Sequence, residues 1–409
     1  MTRRVEVAVA SHSRLELFPL RVKPDAGGFV VGRPATGAYV ALSRGAFAAT
    51  ELLRGGCTIR DAKAALARGH LGHEIRLRGL VETLLEAGLV KTVDSTSVPQ
   101  PLAPRRYHLT FLRRRHIAWA FSRPAVAAYA TVVAAACAIL LAQPRYLPRL
   151  ADAVVASSPA LSLAALWGVS LVTLAGHELA HLLAASFLGI QASVSPGNRL
   201  FFPVLQTDLT DLWLVDRNQR YLAYAAGMVH DLLLACVLVI VLWLGDRHLL
   251  PLPEPLYRTL RLTVLVLVAG LLWQLNVYLR TDAYYLIANF TGCHNLWGDA
   301  RAYLKATLKR LLTGGAPHPW AGVPERQRPM VRAFAALMAV GTAGVTLLGA
   351  ACLGGLLPLL LRRDGAGHQS QLPLLASLGV TCLWLAAAVL AGRRRRPRVH
   401  YLLLSPDDL

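Results

Sequence analysis

Charge is scarce in this sequence: 16% of its 409 residues are charged and 55% are hydrophobic, where a soluble globular chain carries about 25% charged residues. This excludes a mainly soluble architecture. Lysine is rarer still, with only Lys23, Lys63, Lys91, Lys305 and Lys309 among 43 basic residues, an arginine bias typical of a GC-rich bacterial genome. Cysteines are few and scattered, at Cys57, Cys137, Cys236, Cys293, Cys352 and Cys382, with no CxxC pair. Neither a disulfide framework nor a cysteine-ligated zinc site is expected. The first ten residues carry arginines but no apolar core of the kind a cleavable signal peptide needs, so the N-terminal segment is expected to stay in the cytoplasm.

The formal net charge is nevertheless +20, and where those charges sit decides their meaning. They flank apolar runs, as at Arg113-Arg114-Arg115 and Arg393-Arg394-Arg395-Arg396, instead of covering a soluble face interleaved with aromatics. Contact with a lipid bilayer is expected, and no nucleic acid. Six apolar segments are long enough for a bilayer core, which needs about 20 helical residues: near 124–142, 160–188, 221–245, 259–280, 334–361 and 372–392. Arg199, Arg217, Arg220, Arg301, Lys305, Lys309, Arg310, Arg326 and Arg328 fall in loops on the side of residues 1–123. Arg145, Arg149, Arg247, Arg258, Arg362 and Arg363 fall on the other. The excess of cations on one side predicts both termini in the bacterial cytoplasm, with residues 393–409 a basic tail.

Residues 1–95 read as a small α/β domain. Phe29-Val30-Val31-Gly32 and Ala38-Tyr39-Val40-Ala41-Leu42 are strand-like runs joined by the turn Pro34-Ala35-Thr36-Gly37. Ser43 is placed to cap a helix through Leu53, two more helices are expected near 59–67 and 75–87, and Gly88 ends the last. Residues 96–123 form a linker and membrane-entry segment. The expected class is thus an all-α polytopic membrane protein of about six spans with a small N-terminal winged-helix-like cytoplasmic domain.

From Ala160 to Gly176 no residue is charged, and then His177-Glu178-Leu179-Ala180-His181 interrupts the second span. Ionisable groups at such depth are costly and mark function. On a helix, positions i and i+4 share a face, so His177 and His181 can direct imidazoles at one metal ion. Glu178 then adjoins a metal-activated water as general base, the chemistry of a zinc hydrolase. The alternative is a polar helix–helix network, which requires no such order of residues. Leu182 to Ile190 offers no third ligand, leaving His230, Asp231 and Asp282 as candidates. Asp282 matches the depth of the two histidines best.

These two segments together resemble the site-2 protease family of intramembrane zinc metalloproteases, in the branch of peptide zinc metalloproteases. That family pairs HExxH with a distal Asn-Pro…Asp-Gly motif; Asn276, Arg280, Asp282, Tyr284 and Tyr285 stand in matching places here. Phe202 to Trp213 resembles its cytoplasmic loop and Ala226-Gly227 the start of its third core helix, so the likeness covers roughly residues 107–305. It implies Zn2+ held by His177, His181 and Asp282, with Glu178 as the base and Asn276 binding the substrate backbone or oxyanion. Val277 and Ala283 depart from the family's proline and glycine. Asn276 has a bland alternative as helix–helix glue. His230 and Asp231 are either ligand-orienting groups or a buried polar pair, and Asp208 and Asp211 read as a solvated loop face, with substrate gating as the alternative.

Residues 18–93 resemble the small peptide chaperone of PQQ biosynthesis, a RiPP recognition element, through Val22-Lys23-Pro24-Asp25, the strand pair and Leu84-Leu85-Glu86-Ala87-Gly88-Leu89-Val90. The implied partner is the leader of a ribosomally made precursor peptide, and the implied activity its proteolytic maturation, with export as an associated step. The alternatives are regulated proteolysis of a membrane-bound regulator, or a non-catalytic transport or immunity protein. An intact His177, Glu178, His181 and Asp282 argues against the last.

Overall fold

The computed structural model describes residues 9–25, 28–68, 77–100, 104–105, 107–199, 202–293, 295–314, 320, 323 and 325–361. The expected sixth span near 372–392 and the tail 393–409 lie outside them.

The N-terminal unit begins with strand β1 (Leu15–Leu17), then β2 (Arg21–Asp25), β3 (Gly28–Arg33) and β4 (Ala38–Ser43). The last three form an antiparallel sheet in which Val31 faces Val40 and Gly32 faces Tyr39. A side chain at Gly32 would collide with the Tyr39 ring, so the glycine gives that ring its seat. Gly37 closes the turn at φ +66°, a conformation that a residue with a Cβ avoids. Ser43 accepts from Ala46 N–H at 3.2 Å and starts α1 (Arg44–Arg54), followed by α2 (Ile59–Arg68) and α3 (Leu77–Glu86). Gly88, at φ +69°, turns the chain into β5 (Val90–Val93), which pairs antiparallel with β1 and with β6 (Thr96–Ser97). Leu15, Val31, Val40, Leu53, Leu84 and Leu89 share one core. Val98 is buried in it too, so the unit runs past the expected boundary at residue 95.

A short helix, α4 (Arg114–Ile117), leads to α5 (Arg123–Ala142), α6 (Pro159–Phe187), α7 (Arg217–Asp246) and α8 (Glu254–Trp273). After α9 (Asp282–Thr291) and α10 (Leu296–Thr313) comes α11 (Arg328–Leu361). Among the described residues five helices are long and apolar enough to cross a membrane: α5, α6, α7, α8 and the first part of α11. α7 packs against α5, α6, α8 and α9, so it forms the centre of the bundle.

Two expectations need correction. The fourth apolar segment was read as continuous to residue 280, but α8 stops at Trp273, and a 3-10 turn, Val277–Leu279, follows. Val277, Tyr278 and Leu279 are buried among residues of α9, α10 and α11, so their hydropathy reflects a protein core instead of a lipid-facing helix. The loop between α6 and α7 is also structured. It holds an antiparallel hairpin, β7 (Ser193–Arg199) and β8 (Phe202–Asp208).

Candidate metal centre

Ser158 caps α6 by accepting from Leu161 N–H, with Pro159 in the first helical position, where its missing N–H costs nothing. His177 and His181 then fall about two to three turns from the helix end at Phe187. Their facing partner arrives by a sharp reversal. Arg280 adopts φ +60°, and its guanidinium lies over the Tyr285 and Trp297 rings at 5.9 and 5.5 Å. Thr281 donates to Gln274 O at 2.7 Å while Gln274 Oε1 accepts from Asp282 N–H at 3.0 Å. These bonds fix Asp282 as the first residue of α9.

His177 Nε2 lies 2.8 Å from Asp282 Oδ2, His181 Nε2 lies 3.2 Å from the same oxygen, and the two nitrogens are 3.2 Å apart. Three ligands of a tetrahedral zinc ion, each about 2.0–2.1 Å from it, sit about 3.3 Å apart, which matches this triangle. The tautomers fit as well. His181 Nδ1 is 2.8 Å from the Ala223 carbonyl, which can only accept, and His177 Nδ1 is 2.7 Å from Asp231 Oδ2. With both protons on Nδ1, the two Nε2 lone pairs and a carboxylate oxygen converge with no hydrogen between the nitrogens. In that tautomer the three atoms form a set of ligands that a cation would complete.

Charge points the same way. Glu178, Asp231 and Asp282 are mostly buried, and among the described residues no lysine or arginine pairs with any of them; the ionic partners of Asp231 and Asp282 are histidines, and Glu178 is met by the Thr207 hydroxyl. Buried carboxylates are stable only when paired or bound to a metal. His177, His181 and Asp282 can therefore hold a metal ion.

Of the other candidates, Asp231 orients His177, the usual partner of a metal-bound imidazole. His230 lies 3.1 Å from Asp231 through Nδ1 and its ring occupies the space beside Gly176. Glu178 Oε2 accepts from Thr207 Oγ1 at 2.6 Å. Asn276 does not touch the triangle: its amide donates to Trp273 O at 3.0 Å and accepts from Tyr278 O–H at 2.9 Å. The two departures from the family motif are accommodated. Val277 N–H donates to Leu275 O at 2.8 Å, a bond proline lacks, and Ala283 sits in the first turn of α9, where no glycine is required.

Asp211 is not a solvated loop residue. It is 4% exposed, and its carboxylate accepts from Tyr39 O–H at 2.8 Å and Arg105 at 3.1 Å, with the Tyr107 hydroxyl oxygen 3.3 Å away. Asp208 pairs with Arg105 at 2.8 Å. Both anions are taken up by the N-terminal unit and the segment after it, partners far away in sequence.

Thr207, Gln274 and Gly227 had no assigned part in the site. A Cβ at Gly227 would overlap the His177 ring, so this glycine of α7 is the floor of the site. The only signal in the sequence was its place in the Ala226-Gly227 resemblance. No family model matches the chain, and neither a curated protein nor a solved structure matches it.

Proposed function

We propose that the chain is a zinc metallopeptidase of the membrane, with His177, His181 and Asp282 as the metal ligands and Glu178 as general base. The observation that carries this reading is the convergence of two imidazole nitrogens and one carboxylate oxygen at 2.8–3.2 Å, with a further carboxylate one residue along the same helix. Bound there, zinc supplies a Lewis acid and a water acidic enough to attack near neutral pH. Asp231 and the Ala223 carbonyl hold the Nδ1 side of each imidazole, which would leave both Nε2 atoms free to bind the metal. Thr207 engages Glu178 Oε2, which leaves Oε1 to take the proton of the attacking water and pass it to the departing amine.

The substrate we infer is a ribosomally made precursor peptide, recognised by the N-terminal unit and cut at the membrane. Supporting it are the likeness of residues 18–93 to peptide-recognition elements and the attachment of that unit, through Tyr39, beside the hairpin that touches Glu178. The cation asymmetry supports a bacterial inner-membrane location with both termini in the cytoplasm. The direct test compares purified wild type with Glu178→Gln for zinc content and for cleavage of a quenched-fluorescent random peptide library and of precursor peptides encoded nearby. Retained zinc with lost cleavage is expected; equal cleavage by both proteins, or a wild type without zinc, refutes the reading.

A further inference from the structure

Arg105, Tyr107 and His108 lie between the N-terminal unit and the helical bundle, and Arg105 and His108 grip the two legs of the β7–β8 hairpin. Arg105 pairs with Asp208 on β8 at 2.8 Å and with Asp211 just beyond it at 3.1 Å. His108 N–H donates to Ala192 O at 3.0 Å, and His108 Nδ1 accepts from Val194 N–H at 3.0 Å on the β7 leg. The N-terminal unit closes over the same place. Tyr39 donates to Asp211, Arg105 N–H donates to Ala35 O at 2.8 Å, Tyr107 O–H donates to Pro34 O at 2.7 Å, and Lys23 pairs with Asp216 at 2.5 Å. Arg105 and Asp211 side chains are only 9% and 6% exposed, so this is a buried polar joint in which each group depends on the others.

Thr207 precedes Asp208 directly, and successive side chains of a strand point to opposite faces. One face of β8 is therefore anchored to Arg105 while the other presents the Thr207 hydroxyl to Glu178 Oε2 at 2.6 Å. A short bond between hydroxyl and carboxylate fixes direction, and charged acceptors make it stronger than a neutral bond. The base stands on α6, so its backbone is set by the bundle. Its carboxylate orientation is set by a strand whose position the N-terminal unit fixes.

We propose that Thr207 is a positioning residue for Glu178, and that the β7–β8 hairpin links the seating of the N-terminal unit, through Arg105 and Asp208, to the orientation of the base. Arg105 touches neither Glu178 nor the metal ligands, yet its loss disorders the strand that carries Thr207. This coupling rests on the peptidase reading for its catalytic part; its mechanical part does not.

The test uses full-length wild type, Thr207→Val, Thr207→Ser and Arg105→Met in detergent, with three measurements: zinc stoichiometry, kcat and KM on the peptide library, and hydrogen–deuterium exchange of residues 193–208. Thr207→Val is expected to keep its zinc and KM and to lose about 10- to 100-fold in kcat, the scale of one lost bond to a charged group. Thr207→Ser restores most of it. Arg105→Met is expected to keep its zinc, exchange faster across the hairpin and lose kcat in the same direction. Wild-type kcat in Thr207→Val, or failure of serine to rescue, overturns the positioning role. Unchanged exchange in Arg105→Met overturns the link. A wild type that cleaves nothing overturns the peptidase reading instead, and the exchange measurement then decides the link by itself.

Discussion

Asp231 Oδ2 on α7 lies 2.7 Å from His177 Nδ1 on α6, directly behind the triangle formed with His181 and Asp282. An oriented, more basic imidazole binds metal more tightly, and removing such a partner costs roughly 10- to 100-fold in affinity. Asp231→Ala is expected to lose zinc to a chelator at correspondingly lower concentration while the melting curve of the metal-free protein changes little. Equal chelator resistance would show that the bond is only structural.

Gly227 offers a sharper test of the same geometry. Its Cα–H is overlaid by the His177 ring, so a methyl group there occupies ligand space, whereas a methyl at Gly168 on α6 meets nothing within 4 Å. Gly227→Ala is expected to lose zinc stoichiometry, and Gly168→Ala to keep it with stability unchanged or raised by about 1 kcal/mol from helix propensity. Both variants binding zinc equally would contradict the placement of His177.

The joint under the N-terminal unit depends on Asp211 keeping its donors. Tyr39→Phe removes one hydroxyl from a buried carboxylate, a loss of about 1–3 kcal/mol. The expected outcome is a lower melting temperature together with faster proteolysis between residues 98 and 107, with the zinc content unaltered. A melting curve identical to wild type would mean that Tyr39 contributes packing alone.

Alkaline pH should open that joint. Burial, then the charge of Asp211, push the Tyr107 hydroxyl up to about 12, above the ordinary tyrosine value of about 10. A raised folded-state pKa means that stabilisation is complete below about 10 and lost as pH rises toward 12. Tyrosinate absorbance should therefore show a late-ionising component, to which buried tyrosines such as Tyr39 also contribute, and whose amplitude falls by one tyrosine in Tyr107→Phe. Ionisation of all tyrosines in a single step at the ordinary value would refute it.

The HExxH spacing was legible because i and i+4 on one helix share a face whatever surrounds them, and apolar flanks make buried ligands conspicuous. Asp282 was legible only by depth and by its place in the distal motif that the family resemblance supplies. Hydropathy extended the preceding span through Asn276 to residue 280, because Val277 and Leu279 look the same whether they face lipid or a protein core. The unwinding after Trp273, which brings the carboxylate round, rests on Gln274, Thr281 and Arg280 acting together.

By itself the sequence determined the long apolar helices, the N-terminal strands with their Ser43 and Gly88 signals, and the pair of histidines, since each is a local matter of periodicity, capping or spacing. Only the tertiary structure decided that Asp231 backs His177, that Gly227 floors the site, that Thr207 holds Glu178, and that Asp211 is buried instead of solvated. Those relationships join residues 29 to 172 positions apart, and a hydrogen bond between distant residues depends on how helices and strands pack, which no local pattern encodes.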